Sequence, residues 1–122
     1  MKREIKFRAY IRDEGRLLNV NLIDFDDEYV RVWDEYGENE EEWFLKDCEL
    51  IQYTGLKDMN GVDIYECDVV RFDTNVQILE SEVTYYHGMF TIKKYGEKIP
   101  LFTALKVIGN KFENPELLGV EE

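Results

Sequence analysis

The segment QYTGLKDMNGVDIYECDVVRF, from Gln52 to Phe72, joins dense turn chemistry to an apolar strand and decides the fold. Its Asn60-Gly61 dipeptide is the one that most readily takes positive φ at two successive positions. It therefore predicts a tight hairpin turn between Leu56 and Ile64. The apolar run at 69–72 predicts a strand after this turn. The segment indicates β structure, and no set of catalytic side chains accompanies it.

Short apolar runs recur about every ten residues along the rest of the chain. In the first run, Ile5, Phe7, Ala9 and Ile11 alternate with polar residues, which is the two-residue period of a half-buried strand. No ten-residue amphipathic helix is apparent. The pattern predicts a mainly β fold, a small antiparallel β-barrel or sandwich with an N-terminal β-meander and little helix.

Several boundaries follow from local composition. The polar stretch 34–42 predicts a solvated loop, although its glutamates leave a helix over 40–45 open. Further along, 76–79 predicts a strand and 94–98 a loop. Asn at the cap and Pro at the first helical position predict one helical turn over 114–118.

Length and composition favour a single domain over residues 1–122, with a subdivision near residue 50 as the alternative. No apolar run approaches the roughly 18 residues of a membrane span, and the charged N-terminus does not resemble a signal peptide. Cys48 and Cys67 lack metal-ligand or redox-motif spacing. We therefore expect a cytoplasmic protein with two reduced thiols and no membrane partner.

The net charge of −12 is concentrated in one stretch. Residues 24–49 contain twelve acids against Arg31 and Lys46, a balance of −10. Such charge disfavours direct nucleic-acid binding. It fits a solvated surface, a patch for a basic protein partner, or a surface that imitates the phosphate row of nucleic acid. An EF-hand is excluded because the glycine required for the turn of its loop is missing. The candidate interaction patch comprises Asp24, Asp26, Asp27, Glu28, Glu38, Glu40, Glu41 and Glu42.

The sequence can be checked for sets of catalytic or metal-binding residues by counting the residue types that such sets need. His87 is the only histidine and Ser81 the only serine, and His87-Gly88 has the composition of a turn. Acidic neighbours raise rather than lower the pKa expected for the Cys67 thiol. No phosphate-binding glycine motif occurs. We predict no catalytic residues, no metal and no cofactor.

Three segments resemble the YopX-like family of phage and prophage proteins. Residues 52–70 are similar to the family pattern QYTGLKDxNGxxIYEGDIV, residues 6–9 to its KFRAW opening, and residues 107–118 to its VIGNIYENPELL ending. The resemblance implies a mainly β fold with an SH3-like barrel component, a phage or prophage origin, no cofactor and no established activity.

One position departs from the family pattern, because Cys67 occupies the place of the glycine in YEGD. Either residue 67 does not require a positive φ, or its backbone is strained. Asp68 is expected to hydrogen-bond the turn before its strand. The signature residues, which we interpret as structural, are Tyr53, Gly55, Asp58, Asn60, Gly61, Tyr65, Asp68, Gly109, Asn110, Asn114 and Pro115.

These observations favour a non-catalytic binding or interaction module of a phage or prophage. Its partner would be an unidentified protein, for which the acidic stretch suggests a basic one. A nucleic-acid-mimicking inhibitor of a basic host protein is the first alternative, and it requires one continuous negative face. An unrecognised enzyme is the second and requires a pocket that contains His87, Cys67 or close carboxylates. Self-association stays open.

Overall fold

The computed structural model describes residues 3–119, which form antiparallel sheets. Strands contain 56% of these residues and helix is limited to two 3-10 turns, so the mainly β prediction is confirmed. No sheet closes into a barrel within the described residues, and the predicted small barrel is not confirmed. The strands are β1 (Phe7–Ile11), β2 (Arg16–Asp24), β3 (Tyr29–Trp33), β4 (Glu40–Phe44), β5 (Cys48–Lys57), β6 (Asp63–Tyr65), β7 (Asp68–Asp73), β8 (Ile78–Glu82), β9 (Thr84–Tyr86), β10 (Met89–Lys94), β11 (Glu97–Pro100) and β12 (Lys106–Asn110).

The chain divides into two compact units, of which unit 1 ends at Tyr53 and unit 2 begins at Thr54. Strands β1, β2 and β3 of unit 1 form the N-terminal meander that the alternating runs predicted; β4 extends it, and β5 pairs with the other edge of β1. The strands of unit 1 lie in the order β4-β3-β2-β1-β5, and each is antiparallel to its neighbour. Alternate side chains of these strands enter one core. The core residues of unit 1 are Ala9, Ile11, Leu18, Val30, Val32 and Cys48.

Strand β4 corrects two expectations, the loop over 34–42 and the helix considered over 40–45. Residues 40–44 pair with β3, and their exposure alternates along the strand. The register places Glu42 opposite Arg31, which donates to Glu42 Oε2 from Nε at 3.2 Å and from Nη2 at 3.0 Å. Opposite charges across a strand pair are favourable. Tertiary pairing therefore overrides the helical preference of the glutamates.

Unit 2 contains two three-stranded sheets, with the orders β12-β7-β8 and β11-β10-β9, and β6 next to the end of β5. Strand β7 includes the run 69–72, whose prediction as a strand is confirmed. The β12–β7 pairing shifts register between Val107 and Gly109, which is a bulge. The core residues of unit 2 are Ile64, Val70, Phe72, Val83, Ile92 and Leu105.

The turn between β5 and β6 is wider than the predicted tight hairpin, because residues 58–62 separate the strands. Gly61 has a φ of 81°, but Asn60 is not among the residues with positive φ. The Asp58 carboxylate accepts the backbone N–H of Asn60 at 2.8 Å and that of Val62 at 2.9 Å. A side chain that satisfies two backbone donors favours a wider loop over the two-residue turn.

Two boundaries in the C-terminal half also differ from prediction. Thr74 Oγ1 accepts the N–H groups of residues 76 and 77, so β8 begins only at Ile78. The predicted loop over 94–98 is instead a short turn between two strands. Tyr95 and Gly96, with φ values of 53° and 85°, form the turn, and the other residues of the segment belong to β10 and β11. The helical turn predicted over 114–118 is present as a 3-10 turn at Pro115–Leu118.

The backbone at Cys67 has a φ of 72°. The alternative that residue 67 does not require a positive φ is therefore wrong, and the alternative of a strained backbone remains. The N–H of Cys67 donates to Val83 O at 2.8 Å and its carbonyl accepts the N–H of Lys111 at 3.0 Å, which holds the residue in this conformation. A residue with a Cβ is disfavoured there by roughly 1–2 kcal/mol.

We therefore expect Cys67→Gly to raise the free energy of unfolding by about 1 kcal/mol, after allowance for the greater backbone entropy of unfolded glycine. Urea denaturation of the purified protein measures this change. Cys67→Ala serves as the control, because it removes the thiol but keeps the Cβ. A glycine variant no more stable than the alanine variant would contradict strain at this position.

Candidate functional site

Asp58 is a buried carboxylate of unit 2 that links the β5–β6 loop to β12. Its side chain is 6% exposed, and besides the two loop donors it accepts the N–H of Val107 through Oδ2 at 2.9 Å. Burial by itself raises the pKa of Asp58. The hydrogen bonds from Val107, Val62 and Asn60, with Lys106 nearby, outweigh burial and lower the pKa below its usual value. The carboxylate is thus a structural acceptor for three backbone donors.

Asp68 is a second buried carboxylate, 4% exposed, at the start of β7. Its Oδ2 accepts the N–H of Tyr65 at 2.8 Å across the turn that contains Cys67. The backbone N–H of Val83 donates to the carbonyl of Asp68 at 2.8 Å. These bonds fix the entry of the chain into β7.

The C-terminal signature residues form a compact polar cluster around the end of β12. Asn110 Oδ1 accepts the N–H groups of Phe112 at 3.0 Å and Glu113 at 2.9 Å. Asn114 Oδ1 accepts the N–H of Asn110 at 3.2 Å, and Asn114 makes no side-chain bond that caps the following 3-10 turn. A Cβ added at Gly109 would lie 2.5 Å from Asn114 Oδ1, so a larger residue there would require the Asn114 side chain to move.

The remaining signature residues have backbone or packing positions. Tyr53 and Tyr65 are each 4% exposed, and Gly55 and Gly61 have φ values of 89° and 81°. Pro115 is the first residue of its 3-10 turn. The signature residues therefore organise loops and strand ends.

The eight residues of the candidate interaction patch do not form one continuous face. Glu38 lies in the β3–β4 turn, and a five-residue strand separates that turn from the β2–β3 turn by about 17 Å. Along β4, Glu40 and Glu42 are more exposed than Glu41, which lies on the other face. The other four lie at the end of β2 and in the β2–β3 turn: Asp24, Asp26, Asp27 and Glu28.

Arg16 neutralises part of the acidic stretch and was not anticipated from the sequence. It contacts Glu14 at 2.6 Å, Glu35 at 2.5 Å and Glu41 at 2.7 Å. The hydrogen bonds that the guanidinium donates to Glu35, Glu41 and Glu14 raise its pKa further above the usual value. The same bonds lower the pKa of Glu35 and of Glu41. The net field of unit 1 is therefore weaker than the count of acids suggests.

A shallow depression of about 310 Å³ lies at the outer edge of unit 1. Tyr29 and Phe44 are directly opposite each other on β3 and β4, and Phe44 is 59% exposed. Asp27, Glu42 and Trp43 complete the lining. The alternation of Glu40, Glu42 and Phe44 in the sequence is the pattern of one face of a strand and could have indicated this site. The interpretation of 34–42 as a loop hid this pattern. Aromatic rings beside carboxylates can hold a cationic side chain.

The residues considered for catalysis have structural contacts. His87 is an exposed turn residue with a φ of 50°, and its ring packs on Tyr86 at 4.1 Å between centroids. Ser81 is 6% exposed, donates to Glu82 O and accepts the N–H of Lys93. Burial raises the pKa of the Cys48 thiol, which disfavours the reactive thiolate. The depression at the edge of unit 1 is lined by neither His87 nor Cys67.

Within residues 3–119 no group of three or more His, Cys, Asp or Glu side chains has an arrangement that could hold a metal ion. The described part of the chain also contains no helix with the length and apolar character needed to cross a membrane.

These features define a mainly β protein of two compact units whose loops are organised by buried polar side chains. The chain belongs to the YopX family, since the family model described as YopX protein matches residues 6–119. It is also similar to the crystal structure of protein EF1440 from Enterococcus faecalis, with a TM-score of 0.66 and 28% identity over 96% of this chain and 99% of the other. No curated protein matches this chain in the sequence search.

Proposed function

We propose that this protein is a non-catalytic binding module that takes up an extended basic segment of a partner protein at strand β4. The observation that carries the proposal is the depression lined by Tyr29, Phe44, Asp27 and Glu42 beside the edge of the unit 1 sheet. A phage or prophage accessory role in the host cytoplasm belongs to the same proposal and is supported by the family resemblance.

The position of β4 supports strand addition. Within the described residues it pairs only with β3, so one side of its backbone has donors and acceptors available to another strand. Edge strands of this kind recognise extended peptides through main-chain hydrogen bonds, while side-chain pockets supply specificity. The glutamates of β4 would repel an acidic added strand and attract a basic one.

The side chains around the edge support a preference for lysine or arginine. Phe44 and Tyr29 offer aromatic faces, and Asp27 and Glu42 offer carboxylates at the same depression. Glu42 already pairs with Arg31, whereas Asp27 has no ion-pair partner within residues 3–119. A cation placed over an aromatic face gains about 0.5–1 kcal/mol at an exposed site. The depression thus suits one long cationic side chain of the added strand.

The test uses a nine-residue peptide of alternating lysine and valine, with a glutamate-for-lysine peptide as the control. We expect a Kd on the order of tens of micromolar and changes in the amide chemical shifts along β4. Phe44→Ala and Asp27→Asn should each weaken binding about three- to tenfold.

Two controls make this test specific. Phe25→Ala and Asp26→Asn change an exposed aromatic and an acid in the adjacent turn, outside the depression, and should leave the affinity unchanged. N-methylation at alternate peptide nitrogens should abolish binding, because strand pairing needs those donors. Equal losses with the control variants, or full binding of the methylated peptide, would reject the proposal.

The other candidate functions have less support. The phosphate-mimicking inhibitor needs one continuous negative face, and the acids of unit 1 are divided between two turns and two strand faces. An enzyme would require a pocket that contains His87, Cys67 or close carboxylates. The depression at β4 contains neither His87 nor Cys67, and Glu42, one of its two carboxylates, is paired with Arg31. The SH3-like arrangement and the single domain over 1–122 stay predictions. So do self-association and the absence of nucleic-acid and membrane partners.

A further inference from the structure

A groove of about 360 Å³ in unit 2 has no part in the proposed peptide site. It lies between β8 and the sheet of β9, β10 and β11, and its size falls in the range of small-molecule sites. Ser81 Oγ accepts the N–H of Lys93 at 2.9 Å, which fixes β8 against β10 along the groove. The lining residues are Glu80, Ser81, Glu82, Thr84, Lys93, Lys98 and Leu118.

Two lysines lie directly opposite each other on one face of this groove. The β10–β11 register pairs Lys93 with Lys98, and side chains opposite each other across an antiparallel pair have Cβ atoms about 5 Å apart. Within residues 3–119 neither ammonium group has a carboxylate oxygen within 4 Å. Like charges at such positions repel each other, so this pair destabilises the sheet unless an anion neutralises it.

The acids of the groove are already compensated by cations outside it. Glu80 Oε2 accepts from Arg71 Nη2 at 2.7 Å and from Nε at 3.0 Å, and Lys111 Nζ lies 3.9 Å from Glu82 Oε2. With these partners counted, the groove carries two uncompensated positive charges in a chain of net charge −12. A local field of that sign attracts an anion.

Tyr86 positions one of the two ammonium groups. Lys98 Nζ lies 4.8 Å from the centroid of the Tyr86 ring, a distance at which the ring attracts the cation. Tyr86 pairs with Met89, and Met89 lies on the same face of β10 as Lys93 because the two are an even number of residues apart. The ring therefore holds the Lys98 ammonium group on the face that carries Lys93. Two ammonium groups on one face can contact a single dianion.

We propose that this groove binds a small phosphate monoester that carries free hydroxyl groups. Lys93 and Lys98 bind the phosphate, whose charge of nearly −2 at neutral pH matches the pair. Glu80 Oε1, which accepts no hydrogen bond within residues 3–119, accepts one from a ligand hydroxyl. This chemistry is common to sugar phosphates and mononucleotides.

The test is a calorimetric titration of the purified protein with ribose 5-phosphate, AMP, inorganic phosphate and ribose. We expect a Kd of about 0.1–1 mM for a phosphate ester, weaker binding of inorganic phosphate and none of ribose. AMP and ribose 5-phosphate distinguish a nucleotide site from a sugar phosphate site, and binding of either supports the proposal. Absence of binding of both at 10 mM, on the order of ten times the weakest expected Kd, overturns it.

Lys94 provides a matched control, because it follows Lys93 in β10 and lies on the opposite face, paired with Glu97. Lys93→Gln and Lys98→Gln should each weaken the phosphate ester about tenfold, whereas Lys94→Gln, with the same change of net charge, should not. Lys93→Gln should melt no lower than wild type without ligand, since it relieves the repulsion. Equal weakening by all three variants would indicate a nonspecific charge effect and overturn the site.

Discussion

Asp58→Ala is expected to lower the free energy of unfolding by about 4 kcal/mol, a large part of the 5–15 kcal/mol that holds a typical domain together. The substitution removes the acceptor of three backbone N–H groups, on Asn60, Val62 and Val107. A donor left without a partner costs about 1–3 kcal/mol where it is buried, and water that reaches the exposed residues Asn60 and Val62 offsets part of the sum. Urea denaturation followed by tryptophan fluorescence measures the change.

Asp58→Asn separates the charge of this side chain from its shape. The amide retains one oxygen for Asn60 and Val62, but its NH₂ group faces the N–H of Val107, so we expect a loss of about 2 kcal/mol. Asp73→Asn is the control, since Asp73 is exposed at the end of β7 and its substitution should stay within about 0.5 kcal/mol of wild type. A comparable loss in the control would contradict the structural role of Asp58.

The lowered pKa of Asp58 gives the same prediction a pH dependence. A carboxylate with a lower pKa in the folded than in the unfolded protein binds fewer protons when folded. Its stabilisation is complete above the unfolded value, near 3.9, and is lost as the pH falls through the folded pKa. The stability difference between wild type and Asp58→Asn should therefore shrink between about pH 5 and pH 2. A difference that is constant over this range would mean that the charge contributes nothing.

The sequence predicted strands well where a local period or turn dipeptide determines them. Alternation predicted the strand at β1, and the apolar run 69–72 lies within β7. It failed where a partner distant in sequence decides the structure. Glu42 lies in a strand because it pairs with Arg31. The prediction from sequence also failed at the loop 58–62, which is wide because the Asp58 side chain satisfies backbone donors two and four residues away.

The candidate sites were harder to predict than the fold, because sequence position does not show which charges meet. Arg16 lies 25 residues before Glu41 but binds it directly, and its single positive charge compensates a small part of the charge of the acidic stretch. The edge of β4 could be recognised only once 40–44 was known to be a strand. Lys93 and Lys98 became a pair only through the β10–β11 register. Register and edge position are tertiary properties, and single-sequence patterns specify them weakly.

Gly109→Ala is expected to lower the free energy of unfolding by about 2–3 kcal/mol, although the φ of Gly109 is not in the left-handed region. The cause is space, since the new Cβ would lie 2.8 Å from Asn114 Cγ and 3.0 Å from Leu117 Cδ1. Movement of Asn114 would also break its bond to the N–H of Asn110. Gly119→Ala is the control, because Gly119 has a positive φ and its substitution tests backbone conformation instead of space.

A double-mutant cycle distinguishes this close contact from a simple loss of glycine. Asn114→Ala alone should cost about 1 kcal/mol, because the N–H of Asn110 loses its acceptor. If the Asn114 side chain is what the Cβ strikes, the double variant Gly109→Ala/Asn114→Ala should be more stable than the sum of the two losses predicts, by about 1 kcal/mol or more. Additive losses would place the strain at Leu117 or in the β12 backbone, and the role assigned to Asn114 at Gly109 would be wrong.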